Sequence, residues 1–177
     1  MKLLKINIFI LVLVLTLGSC QNDSTEKKTA LEPTKQPVNV NKEVEEKAVI
    51  EVMEKYKEAF QNLTTKGTME LFSENSKVYE SGGVEGSYAN YIKHHIGPEL
   101  SHFNSFKFSD YNIEAEVDLP YAFVTETYIY KIDLKANPEK NREAQIIKKK
   151  GVATSILKKI NEKWKIIRTH SSSRDIR

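Results

Sequence analysis

The sequence predicts one α+β domain in which about three N-terminal helices cover one face of a strongly bent antiparallel sheet. Two observations carry this expectation. As far as Pro98 the apolar residues recur at helical spacing, and beyond Phe103 they alternate, the period of strands with one buried face. A length of 177 residues with 40% hydrophobic content suits a single domain of ordinary size. The one cysteine, Cys20, excludes an intrachain disulfide and a thiolate zinc site, so the domain must rest on packing.

Residues 1–19 read as a leader. Lys2 and Lys5 give a basic start, and Ile6 to Leu17 is a nearly unbroken apolar run of about twelve residues, short of the ~20 that a spanning helix needs. The run ends in Leu17-Gly18-Ser19-Cys20, which resembles the lipobox of bacterial lipoproteins. The resemblance implies that Cys20 is acylated and becomes the first residue; an ordinary secretory leader with a chance cysteine is the alternative. Residues 20–41 are polar, hold Pro33 and Pro37 and show no period, as a flexible tether would. Gln21 in place of Asp after the cysteine resembles lipoproteins that leave the inner membrane, which implies a lipid-anchored place in the cell envelope, on the periplasmic or surface face of the outer membrane. The domain is expected over residues 42–177. The whole chain's 27 basic residues stand against 24 acidic ones, and the leader takes Lys2 and Lys5 with it, so nothing in the charge favours a nucleic-acid partner.

Within the domain, Val49, Val52, Met53, Tyr56, Phe60 and Leu63 mark one face of a long helix over Lys42 to Leu63. Thr64 to Gly67 break it, and Thr68 to Phe72 suggests a short second helix. Lys77 to Glu80 reads as a short strand before the Ser81-Gly82-Gly83 turn. Ser87 is a good N-cap for a third helix that stops at Gly97-Pro98. Past Phe103, Phe106 and Phe108 share one parity and Tyr111, Ile113, Ala115, Val117 and Leu119 the other, a phase change that suggests a bulge near Ser109-Asp110. Further strands are expected over Tyr121 to Asp133, Ile146 to Ile160 and Lys163 to Thr169, with a polar loop at Asn137-Pro138 and a tight turn at Asn161-Glu162. No internal repeat is present.

This order, with Leu71 to Tyr79, Gly83-Val84-Glu85-Gly86 and the closing stretch Trp164 to Arg174, resembles the nuclear transport factor 2-like superfamily, in particular its SnoaL-like bacterial branch. The resemblance covers about residues 42–174. It implies a cone-shaped fold, a pocket between the concave sheet and the helices, and often a homodimer through the outer sheet face. Its members include isomerases, dehydratases, cyclases and non-catalytic binding domains, so it does not choose a function.

Candidate ligand-binding residues follow from parity and helical spacing. Tyr91 and His95 share a helix face with Tyr88 and Ile92, and His95 is open to two readings, a pocket imidazole or a satisfied core histidine. His170 and Ser172 share parity with Trp164 and Ile166 on the last strand, although the Ser171-Ser172-Ser173 run also suits a polar strand exit. Glu126, with Tyr128 of the same parity, is a pocket acid or a cross-strand partner for a lysine. Of Tyr79 and Glu80 only one can face a pocket, and Tyr79 is expected there. The lysines at 148–150, 158, 159, 163 and 165 suit exposed strands that resist edge pairing or contact with anionic lipid.

The expected function is a membrane-tethered module that binds a small, partly apolar ligand, with no recognisable catalytic set and no cofactor. One alternative is an isomerase or dehydratase in which His95 or His170 is the general base. The aspartate that steroid-isomerase-like relatives place in the pocket has no counterpart here, since Asp110, Asp118, Asp133 and Asp175 fall at strand ends, a bulge or the terminus. A second alternative is a metal site built from two of His94, His95, His102 and His170 with Glu126, although no His-x-x-x-His pair occurs on one helix. Nucleophilic serine chemistry and a phosphate loop lack their motifs.

Overall fold

The computed structural model describes residues 41–176. The expected leader, lipobox and tether, as far as residue 40, lie outside the described residues. Helix α1 (Lys42–Gln61) starts at Asn41, whose side chain accepts the Val44 N–H, and carries Glu43 and Glu45 in its first turn, where the helix dipole favours acids. Its apolar stripe is buried, with Val49 and Met53 fully inaccessible. Left-handed backbone at Leu63 (φ 51°) and Gly67 (φ 79°) ends it. The short helix expected over Thr68 to Phe72 is a single 3-10 turn, Thr68–Leu71.

Strand β1 (Phe72–Glu80) begins five residues before the expected Lys77. Its start was hidden because the inward residue there is polar. Ser76 is buried and accepts the Tyr88 N–H at 3.1 Å, so apolar alternation has nothing to show. A turn with positive φ at Ser81 and Gly82 leads into β2 (Gly83–Gly86).

Ser87 caps the next helix as expected, accepting the Asn90 N–H at 3.2 Å. The helix does not stop at Gly97-Pro98. It runs as α2 (Tyr88–Tyr91), a π-turn (Ile92–Ile96) and α3 (Gly97–Leu100). The Gly97 N–H bonds back to the Ile92 carbonyl, and a Cβ at Gly97 would lie 2.3 Å from that oxygen. Glycine therefore permits the wide turn, and Pro98, which has no N–H to offer, sits in the first turn of the α-segment that follows.

The sheet has six strands in the order β2-β1-β6-β5-β4-β3, with β3 (Phe103–Asp118), β4 (Tyr121–Leu134), β5 (Gln145–Ile160) and β6 (Lys163–Asp175) forming an antiparallel meander. The sheet is curved and mixed, which corrects the antiparallel expectation: β6 pairs with β1 in parallel. Alternation reports which face is buried and is silent on the direction of the neighbouring strand, and the meander ends beside the first strand with both chains running the same way. The expected bulge in β3 is present as a register shift between Ser109 and Asn112, with Asp110 at φ 48°. A second shift lies in β6, where Leu157 pairs with Ile166 but Ile156 with Arg168, leaving Ile167 as an extra residue.

Helix α1 packs across β3 and the start of β6, and the core holds Met53, Phe72, Tyr88, Leu157, Trp164 and Ile166. Phe72 and Tyr88 stack with centroids 3.6 Å apart. Glu45 fastens the helix to the sheet, accepting from Lys159 Nζ at 2.7 Å and Trp164 Nε1 at 2.8 Å. The Lys159 hydrogen bond holds the Glu45 carboxyl below its usual range. No helix among the described residues is long and apolar enough to cross a membrane.

Candidate functional site

A cavity of about 140 Å³ lies between α1, the segmented helix and the inner face of β3 to β6. Its wall is mostly aromatic. Tyr56 and Phe60 descend from α1, Phe106, Phe108 and Tyr111 rise from β3, and Tyr128 and Tyr130 come from β4. The rings support one another edge to face: Phe108 meets Tyr128 at 5.0 Å and 86°, and Phe106 meets Tyr130 at 5.7 Å. Gly151 lies opposite Tyr128 in the β4–β5 ladder, and any Cβ there would fall 2.2 Å from the Tyr128 ring. The glycine is what lets that ring lie flat on the sheet.

Glu126 is the polar centre of the wall. It is 7% exposed, faces the cavity, and accepts the Tyr111 hydroxyl on Oε1 at 2.5 Å. Among the described residues no group hydrogen-bonds its second oxygen. Burial raises the Glu126 pKa, opposed in part by the Tyr111 hydrogen bond and the Lys57 charge. Lys57 Nζ sits over the Tyr111 ring, 4.0 Å from its centroid. Burial, followed by the nearby Glu126 charge, pushes the Tyr111 and Tyr128 hydroxyls up, so both stay protonated, and Tyr111 donates to Glu126.

A second polar group stands at another part of the wall. Tyr91 donates to Glu80 Oε2 at 2.6 Å, and both line the cavity with Glu99. Behind them His95 lies between three carboxylates: Nδ1 is 3.0 Å from Glu85, and Nε2 is 3.5 Å from Glu99 and 3.8 Å from Glu80. Burial lowers the His95 pKa, but the Glu85 hydrogen bond and the charges of Glu99, Glu80 and Glu85 outweigh it, and the net direction is up. Glu99 moves up too, chiefly through burial.

Of the seven expected ligand-binding residues, Tyr91, Glu126, Tyr128 and Ser172 line the cavity; Tyr79, His95 and His170 do not. Glu80 takes the place expected for Tyr79, and its parity with the buried Val78 is the signal that finds it. The π-turn inserts one residue into the helical period, so Tyr88 and Tyr91 are followed inward by Ile96 and Leu100 while His95 rotates away. In β6 the extra Ile167 reverses parity, so Thr169, Ser171 and Ser173 face the cavity and His170 is exposed on the other side. The four histidines do not converge on Glu126, and among the described residues no three His, Asp or Glu side chains are grouped to hold a metal ion. Lys57, Glu99 and Tyr111 also line the wall beyond the residues foreseen.

The fold agrees with what comparison finds. Residues 49–175 match the family model described as SnoaL-like domain. The chain belongs to the SnoaL-like family. Among curated proteins, none matches it. This SnoaL-like domain is similar in fold to a nuclear transport factor 2 (NTF2-like) superfamily protein from Salmonella enterica subsp. enterica serovar Typhimurium str. LT2, with a TM-score of 0.64 and 16% identity over 76% of this chain and 94% of that one. A candidate dehydratase of the NTF2-like family from Streptomyces avermitilis gives a TM-score of 0.63 at 14% identity, covering 75% of this chain and 98% of that one. A candidate ketosteroid isomerase from Shewanella frigidimarina gives 0.56 at 20% identity, covering 71% and 94%. At these identities the likeness concerns the SnoaL-like fold alone.

Proposed function

We propose that this SnoaL-like domain binds a small, partly apolar ligand in the aromatic cavity and is held in the cell envelope, on the outer membrane, by a lipid on Cys20. The observation that carries the binding reading is Glu126, a nearly buried carboxylate with one oxygen tied to Tyr111 and the other turned to an open space among rings. A core that served packing alone would gain nothing from that group, because burial disfavours a charged carboxylate. The Leu17-Gly18-Ser19-Cys20 stretch supports the anchor. Outer-face Phe123 and Val152, both exposed, lie between acids on β3 (Glu114, Glu116) and lysines on β5 (Lys148, Lys150), an arrangement that supports pairing of two copies face to face. Native mass spectrometry of the protein beginning at Gln21 tests binding and copy number together. A retained organic mass that Glu126→Gln loses supports the reading, whereas identical bare spectra for both, with no ligand found by screening small aromatic compounds, overturn it.

One observation favours a second reading, proton-transfer chemistry of the isomerase or dehydratase kind. The candidate dehydratase and the candidate ketosteroid isomerase share the fold, and Glu126, with its raised pKa and its Tyr111 donor, has the form of a general base. No histidine lines the cavity among the described residues, so the role falls to Glu126. Loss of α-hydrogen from small cyclic ketones into heavy water, followed by NMR, distinguishes the readings. Exchange that depends on Glu126 makes the protein an enzyme, and exchange equal to buffer leaves binding.

A further inference from the structure

The charges on the cavity wall are unequal. Glu80, Glu99 and Glu126 face it, with Lys57 as the only cationic side chain among the lining residues, and neither Arg nor His takes part. Lys57 is itself engaged over the face of Tyr111. The remaining lining is aromatic, hydroxylic or aliphatic, the last from Val78, Ile96, Ile132 and Ala153. Such a wall repels anions, and its rings present negative faces that attract a positive charge stripped of water. An ionised Glu126 at 7% exposure has Lys57 as its nearby positive charge, and a ligand cation would add a second where a neutral hydrocarbon adds none.

We infer that the cavity takes a small organic cation, an ammonium head bearing apolar substituents, placed between Glu126 and the neighbouring rings of Phe108 and Tyr128. The inference rests on the ligand-binding reading above and names the chemical class of its ligand. Lys57 over Tyr111 shows the same contact made within the chain: an ammonium on an aromatic face beside the same carboxylate. Size agrees as well, since a cavity of about 150 Å³ is known to admit benzene and this one measures about 140 Å³. A single ring or a trimethylammonium head is of that size.

The test uses the full chain, processed and purified in detergent, with three probes of matched shape. Choline carries the cation, its tert-butyl isostere replaces the nitrogen by carbon, and a tert-butyl carboxylate of similar size carries the opposite charge. Calorimetric titration is expected to give choline at least a ten-fold advantage over the neutral isostere and no binding of the carboxylate. Glu126→Gln should remove the advantage of choline while keeping the weak affinity for the isostere, and because the probe comparison is made on the unaltered protein, a failure of that variant to fold does not affect it. Equal affinity for choline and the isostere, or preference for the carboxylate, overturns the inference and leaves the ligand-binding reading standing. If none of the three binds but phenol does, the cation is again wrong and the pocket right. If phenol also fails, both fall.

Discussion

Tyr111 and Glu126 meet at 2.5 Å across the β3–β4 ladder, and they meet because the chain is irregular there. Tyr111 lies within the register shift between Ser109 and Asn112, where Asp110 adopts φ 48°. In a regular strand the parity of Phe106 and Phe108 would put Asp110 on the inner face and Tyr111 outside. The bulge brings a phenol in where a second carboxylate would otherwise stand, and the phenol hydrogen bond favours the ionised form of Glu126.

Removing that phenol hydroxyl with Tyr111→Phe leaves Glu126 Oε1 without its donor. The expected loss is about 1–3 kcal/mol of stability near neutral pH, measured by urea unfolding. The Glu126 pKa should rise further, which isotope-edited infrared spectroscopy of the carboxyl stretch can follow. An unchanged midpoint would mean that water replaces the phenol at no cost.

Glu126→Gln should make the domain more stable than the unaltered protein, in a pH-dependent way. The folded pKa of Glu126 lies above its ordinary value of 4.5, so the unfolded chain loses this proton first as pH rises. Stability therefore falls from about that value upward until the folded group has also ionised, and the glutamine is spared this loss. Melting curves between pH 4 and pH 8 should converge at the acid end and separate above it.

His95 loses stability in the same direction with pH, but its replacement destabilises where that of Glu126 stabilises. Its net upward shift places the folded pKa above the ordinary 6.5, so its ion pairs stabilise fully below that value and are lost as pH rises through the folded one. His95→Gln should cost up to about 1 kcal/mol in the acid range, as partly exposed pairs do, and nothing at alkaline pH. A constant difference across the range would show a packing role instead.

Gly151→Ala is expected to disturb the cavity more than its size suggests. The new methyl would lie 2.2 Å from Tyr128, so the ring must leave its place on the sheet. A loss of about 1–3 kcal/mol is expected, as for overpacked cores, together with a changed near-ultraviolet spectrum of the tyrosines. Full stability with an unchanged spectrum would contradict the contact.

Cys20→Ser should move the protein from the membrane fraction to the soluble one, and metabolic labelling with a tagged fatty acid should vanish with it. Retention in the membrane would end the lipid-anchor proposal.

The parts of this fold that were legible in the sequence are those with an unbroken period. Helix α1 and the β4 parity that puts Glu126 and Tyr128 in the cavity belong here. The failures fall at inserted residues. The β3 bulge was visible because apolar residues lie on both sides of it and record the change of phase. The β6 bulge at Ile167 was invisible because only polar residues, Arg168 to Asp175, follow it in the strand, and a polar run has no phase to read. The π-turn concealed itself differently, since His95 and Ile96 are adjacent and either could complete the stripe begun by Tyr88 and Tyr91. The parallel pairing of β1 with β6 leaves no mark on periodicity at all.

The attachment of Glu45 has a mechanical consequence. Any pull transmitted along the chain ahead of Asn41 enters the domain at the first turn of α1, and within that turn Glu45 is bonded to Lys159 and Trp164 on two adjacent strands. The load is divided between β5 and β6 near their hairpin, about three helical turns before Tyr56 and Lys57 reach the cavity. A domain tugged from its N-terminus would thus bear the strain at one end and keep the cavity wall slack.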